Sequence, residues 1–141
     1  DIIFAKKSAS FIQAFSKIGL IPDSGGTYFL PRIIGMQKAM ALMMTGDKVS
    51  AEEAEALKMI YKAVNDDEFD EVVSTFSLKL AQMPTRALGL TKKAINHSFM
   101  NTLAEQLQLE EELQNEAGQT TDFHEGVQAF LEKRPAKFIG K

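Results

Sequence analysis

Gly19-Leu20-Ile21-Pro22-Asp23-Ser24-Gly25-Gly26-Thr27 packs three glycines and one proline into nine residues, and this stretch divides the chain by texture. Before it stand two short apolar runs, Ile2 to Ala5 and Ser10 to Phe15, of strand length. After it, helical periodicity takes over, and from Gly35 onward it is almost unbroken. A tight, shaped loop therefore separates strand-like from helical sequence. Thr27 to Ile34 can open a helix, with a break expected near Pro31, because proline is tolerated only in a first turn or at a kink.

Working outward, Gln37 to Thr45 reads as a short buried helix closed by Gly46. Ser50-Ala51-Glu52-Glu53 has the spacing of a reciprocal capping box, Ser50 to the Glu53 amide and the Glu53 carboxylate back to the Ser50 amide. Ile60 to Val64 predicts a brief strand. Asp66 to Gln82 predicts a helix with Phe69, Val72, Val73, Phe76 and Leu80 on one core-facing stripe. Helices are expected over Thr85 to Phe99 and Thr102 to Ala117, the second acidic and ended by Gly118. Asp122-Phe123-His124-Glu125 reads as another cap, followed by Phe123, Val127, Phe130 and Leu131 at helical spacing before Pro135. A helical array with few strands buries its faces only against something larger, here expected to be a preceding sheet.

Composition bounds the functions. The chain has 141 residues, 45% hydrophobic and 25% charged, a globular balance that excludes disorder. Sixteen Lys and Arg against nineteen Asp and Glu leave a net charge of −3, which argues against nucleic-acid binding. The absence of cysteine excludes disulfides, thiolate metal sites and a cysteine nucleophile, and suits the cytoplasm. The longest apolar run, Ala39 to Met44, is far short of the roughly 20 residues of a membrane span, so no membrane partner is expected. The opening Asp1-Ile2-Ile3-Phe4-Ala5 reads like mid-strand, and the N-terminus is expected to be a cut.

Asp23 has the best chemical logic. A carboxyl among Ile21, Pro22, Phe11 and Phe15 would be desolvated, its pKa raised, and so able to take and return protons near neutrality. Pro-Asp-Ser-Gly is also ordinary turn sequence, and composition by itself favours that reading. Gly25-Gly26 could offer amides to an anion or thioester oxygen, or form a plain turn. His97 and His124 lack ligand spacing, and no metal is assigned. Met36, Met40, Met43 and Met44 read as gap-filling core rather than an acyl site. Lys133, Arg134, Lys137 and Lys141 either meet a phosphate or oppose a helix dipole.

The loop Gly19–Thr27, Leu30-Pro31-Arg32, Gly35, Thr45-Gly46-Asp47, Ser50 to Ala54 and Glu132-Lys133-Arg134-Pro135 together resemble the enoyl-CoA hydratase/isomerase (crotonase) family, in order and spacing over nearly the whole chain. The resemblance implies an α/β class, the crotonase (ClpP-like) spiral fold, represented mostly by its helical C-terminal part with a few short strands. Residues 1–34 would end the spiral core and carry the active-site loop. Residues 35–82 would flank that core, and 83–141 would form a helical oligomerisation region. It also implies a thioester enzyme whose two oxyanion-hole amides and one hydratase glutamate precede Asp1, so that this piece by itself should be inactive.

The family's second hydratase glutamate matches Phe15, which can neither hold nor deprotonate water; that departure counts against hydration. Asp23 matches the isomerase aspartate. The activity so implied is acyl-CoA isomerisation, of a 3-enoyl-CoA or of a ring 1,2-epoxyphenylacetyl-CoA as in bacterial phenylacetate degradation, with the coenzyme A thioester as substrate and no separate cofactor. Phe11, Phe15 and Ile21 would exclude water, and Lys133 would approach the CoA phosphates of a neighbouring subunit in a homotrimer or homohexamer. Two alternatives stand beside it, an enoyl-CoA hydratase and a non-catalytic assembly module.

Overall fold

The computed structural model describes all residues, 1–141, as two compact units, Asp1–Ser74 and Thr75–Lys141. In the first unit, β1 (Phe4–Lys6) pairs in parallel with β4 (Lys62–Val64), with Ala5 opposite Ala63. A second pair is antiparallel, β2 (Ser10–Ile12) with β3 (Lys48–Ser50), with Phe11 opposite Val49. The strand expected over Ser10 to Phe15 therefore stops at Ile12, because its partner begins at Lys48 and offers nothing to pair with Gln13 onward. Ala14–Ile18 instead winds into a 3₁₀ helix. Gly19, at φ 74°, closes it, its amide donating to Ser16 and that of Leu20 to Phe15.

Helix α1 (Gly26–Ile34) passes through Pro31 without ending. The proline sits one turn in, where it removes a single hydrogen bond, and the break comes at Gly35 (φ 81°, ψ 156°), from which α2 (Met36–Thr45) starts. Gly46 is left-handed and closes α2, as its position in the sequence predicts. Met36, Met40 and Met44 are exposed in this chain, so the gap-filling reading holds for none of the three; the short helix turns only Ala39 fully inward.

The first unit's core is built from small residues, Ala5, Val49, Ala51, Ala54, Ile60 and Ala63, with Phe11, Leu42, Leu57 and Met59 packed against it. Alanine on α3 (Ala51–Ala56) lets that helix approach the strands closely. Ser50 caps α3 by accepting from the Glu53 amide at 3.1 Å. The reciprocal half of the expected box is replaced by a different use of the same helix, in which Glu55 accepts from the amide of Ala63 on β4 at 2.7 Å. Lys58, at φ 63°, takes the left-handed position after α3, with paired bonds from Met59 to Ala54 and from Lys58 to Glu55. Ser8 donates both its amide and hydroxyl to Asp66, and these two hydrogen bonds hold that carboxyl below its usual range.

Helix α4 (Phe69–Ala81) carries the chain from one unit to the next. Its apolar stripe is half-buried, with no residue fully enclosed, which corrects the expectation of a core stripe. The second unit holds α5 (Thr85–Ser98), α6 (Leu103–Gly118) and α7 (Thr121–Glu132). The reciprocal capping box lies here, between Thr102 and Glu105 at the start of α6. The cap of α7 is Thr120, accepting from Phe123 at 3.1 Å, rather than the Asp122 group.

Asp122 is 2% exposed and ties down the end of the chain. Its two carboxylate oxygens accept from the amides of Ile139 (2.7 Å) and Gly140 (2.8 Å), while its own amide donates to Lys141 at 2.9 Å. One turn on, Glu125 accepts a two-pronged bond from Arg134 and another from the Lys137 amide. Gly126 has no side chain where the Phe138 ring lies, 3.5 Å from the place a β-carbon would take. Two acids spaced three apart on α7 thus strap residues 134–141 along it. No helix is long and apolar enough to cross a membrane.

Candidate functional site

The loop after the 3₁₀ helix has a defined shape. Ser24 (φ 50°) and Gly25 (φ 80°) are consecutive left-handed residues, and the Gly26 amide donates to the Asp23 carbonyl at 2.8 Å. This is the geometry of a primed turn, with Asp23 at its first position and α1 beginning at its last. Glycine at 25 answers the positive φ; serine at 24 bears it as a strained residue. On α1, Arg32 stacks over the Tyr28 ring at 3.6 Å and donates to its carbonyl.

Asp23 is the only carboxyl between Asp1 and Asp47, a signal open to view in the sequence. Its side chain is exposed in this chain, and Ile21 is 80% exposed. Phe15 is half-buried on the 3₁₀ helix. The desolvation expected around Asp23 is therefore not supplied by this chain's own Phe11, Phe15 and Ile21. Phe11 packs on the core instead and lines a separate cleft of about 370 Å³ with Gln13, Leu30, Leu42, Val49 and Met59. Neither Ile21 nor Asp23 borders that cleft.

Lys133 ends α7 in the left-handed conformation (φ 54°), exposed, and belongs to the other unit. His97 bonds the Lys93 carbonyl through Nδ1 at 2.8 Å, and His124 stacks edge-on against Phe123. No three His, Asp or Glu side chains converge in a way that could hold a metal ion.

Sequence reasoning missed Gln13. Its Oε1 is buried with no hydrogen-bond partner and lies 3.5 Å from where a β-carbon on Gly26 would sit. Nothing in the run Ile12-Gln13-Ala14 signals this, because the neighbour is brought in by the turn thirteen residues on.

The enoyl-CoA hydratase/isomerase family profile matches residues 1–141, the whole chain. The chain belongs to the enoyl-CoA hydratase/isomerase family. It is 48% identical to the 1,2-epoxyphenylacetyl-CoA isomerase of Escherichia coli, over 100% of this chain and 54% of that protein. It is 47% identical to the "probable enoyl-CoA hydratase" of Rhodobacter capsulatus, over 100% of this chain and 55% of that protein. The crystal structure of an enoyl-CoA hydratase subunit I from Geobacillus kaustophilus superposes with a TM-score of 0.96 at 34% identity, covering 100% of this chain and 55% of that one. The fold is thus the crotonase fold, α/β in class, with helices predominating in this part of it. The chain spans about half the length of the curated relatives it matches. These relatives include both an isomerase and a hydratase by name.

Proposed function

We propose that this chain supplies the proton-shuttling carboxylate of an acyl-CoA isomerase, acting on a ring 1,2-epoxyphenylacetyl-CoA or shifting a 3-enoyl-CoA to its 2-enoyl isomer. The observation that carries the reading is the pairing of a lone carboxyl at 23, fixed at the head of a strained turn, with a phenyl ring at 15. Asp23 removes a proton from carbon activated by the thioester carbonyl. The electron pair passes to the thioester oxygen as an enolate, and the same carboxyl returns the proton elsewhere, so that no external oxidant, reductant or water is consumed. One base suffices for such a shuttle. The coenzyme A thioester is the substrate and no further cofactor enters. Asp23 is exposed in this chain, so in this reading the bound acyl group itself helps to exclude water from the carboxyl.

Homotrimer or homohexamer assembly belongs to the same reading, with Lys133 reaching a neighbouring subunit's CoA phosphates in the cytoplasm. Its support is the apolar face of α7, where Phe130 is 82% and Leu131 68% exposed. Hydration is the second reading, favoured by the hydratase name of the Rhodobacter capsulatus relative. Assaying crotonyl-CoA hydration beside double-bond and epoxide isomerisation in the intact protein separates them. Isomerisation exceeding hydration supports the proposal, and dominant hydration overturns it.

A further inference from the structure

Among the aspartates and asparagines of this chain, Asp23 alone is followed by serine or glycine. A small successor leaves room for a side-chain carboxyl to close on the next amide, where a bulky one crowds it. Asp23 also differs from other acids in what holds it. Asp66 is held by Ser8, and Asp122 by the amides of Ile139 and Gly140. The Asp23 carboxyl, by contrast, accepts no hydrogen bond and joins no ion pair within the chain, and the Ser24 amide has no acceptor. Both residues are exposed and lie outside any helix or strand. One hydrogen bond spans the turn, from the Gly26 amide to the Asp23 carbonyl, and Ser24 is left-handed at φ 50°. Opening the turn breaks that bond but relieves the strain at Ser24, and it frees the carboxyl to approach the amide.

We propose that the Asp23–Ser24 step is a self-modification site, at which the chain converts aspartate to isoaspartate through a succinimide. The Ser24 amide nitrogen attacks the Asp23 carboxyl carbon. A nitrogen–carbon bond forms, the nitrogen gives up its proton, and one carboxyl oxygen leaves as water, closing a five-membered ring. Both groups belong to adjoining residues, so no second molecule has to be brought in. Water then opens the ring. Opening at the side-chain carbonyl restores aspartate, and opening at the main-chain carbonyl leaves the chain running through the side chain as isoaspartate. The water released in the first step is returned in the second, and nothing is oxidised or reduced. Isoaspartate lengthens the main chain by one carbon and leaves its carboxylate directly on the α-carbon, so the turn no longer presents that group where Asp23 held it. The modification does not depend on Asp23 being the proton shuttle; the loss of turnover that follows from it does.

The test ages the intact wild-type, Ser24→Gly and Asp23→Glu proteins in warm neutral buffer. Isoaspartate is read by peptide mapping and by methyl transfer from labelled S-adenosylmethionine with an isoaspartate methyltransferase, alongside isomerisation turnover and Tm. In wild type, isoaspartate should accumulate at 23 ahead of every other aspartate and asparagine, and turnover should fall in proportion to it. Glycine at 24 suits the positive φ and leaves more room for ring closure, so Ser24→Gly should keep or raise Tm yet form isoaspartate several-fold faster. Ageing that merely followed unfolding would slow in the more stable protein. Asp23→Glu, which would have to close a six-membered ring, should lose the signal at this position. Absence of isoaspartate at 23 in aged wild type, a Ser24→Gly rate at or below that of wild type, or a signal that persists in Asp23→Glu overturns the proposal. Isoaspartate at 23 with turnover fully retained supports the modification and overturns the shuttle reading instead, so the two ideas fail separately.

Discussion

The Asp23 carbonyl accepts the Gly26 amide at 2.8 Å, so the candidate base and the first residue of α1 are the two ends of one turn. Between them Gly25 sits at φ 80°, and a β-carbon there would lie 2.9 Å from Phe29 Cε2. The exposed phenyl ring can yield, but the backbone strain cannot be relieved by it. Gly25→Ala is expected to destabilise by about 1–2 kcal/mol in urea unfolding and to lower turnover by displacing Asp23. Unchanged stability would mean that the left-handed turn is not formed.

Lys58 holds a position after α3 that glycine occupies without cost, at φ 63° with both bonds of the motif made. Lys58→Gly should raise stability by about 0.5–1 kcal/mol, measured by the denaturation midpoint at constant m-value. A loss would show that the lysine side chain contributes more than its backbone strain costs.

Asp122 supports the C-terminal strap through two charge-assisted bonds, to Ile139 and Gly140. Asp122→Ala is expected to cost about 2–3 kcal/mol and to expose residues 134–141 to limited proteolysis, with Asp122→Asn intermediate because one acceptor remains. Equal protease resistance in all three proteins would exclude the strap.

The second anchor is pH-sensitive in a defined direction. Glu125 is pulled from 4.5 to about 2, first by its bonds to Arg134 and then by the Lys137 amide. A depressed carboxyl stabilises the strap at pH above its unfolded value, and that contribution is lost as pH falls from about 4.5 through about 2. The Lys137 amide resonance should titrate with a midpoint near 2. A midpoint near 4.5 would mean that the Arg134 contact is absent in solution.

Much of this was open to reading from local signals. Gly46 at a helix end, the loop of Gly19 to Gly26, and the strand near Val64 follow from backbone chemistry within a few residues. The pairing of β2 with β3 was not legible, because three-residue strands carry no periodicity and the register is set by a partner nearly forty residues away. Asp122 looked like a cap because caps are where such residues usually lie; its true partners, at 139 and 140, are long-range. At the site, Asp23 stood out as an acid among apolar residues in a glycine-rich loop, whereas its exposure became visible only in the folded chain, because burial depends on distant neighbours. The apolar stripes of α4 and α7 were found by spacing, yet spacing gives the direction of a face and not what covers it.

The central claim is that one carboxyl moves hydrogen between carbons of an acyl-CoA. Deuterium incorporation from D2O beside the thioester, followed by NMR together with the isomerisation rate in intact wild-type and Asp23→Asn proteins, tests it most directly. The account predicts that Asp23→Asn loses both by about 100-fold or more while the fold, read by circular dichroism, is kept. Exchange and turnover at the wild-type rate in Asp23→Asn would contradict it.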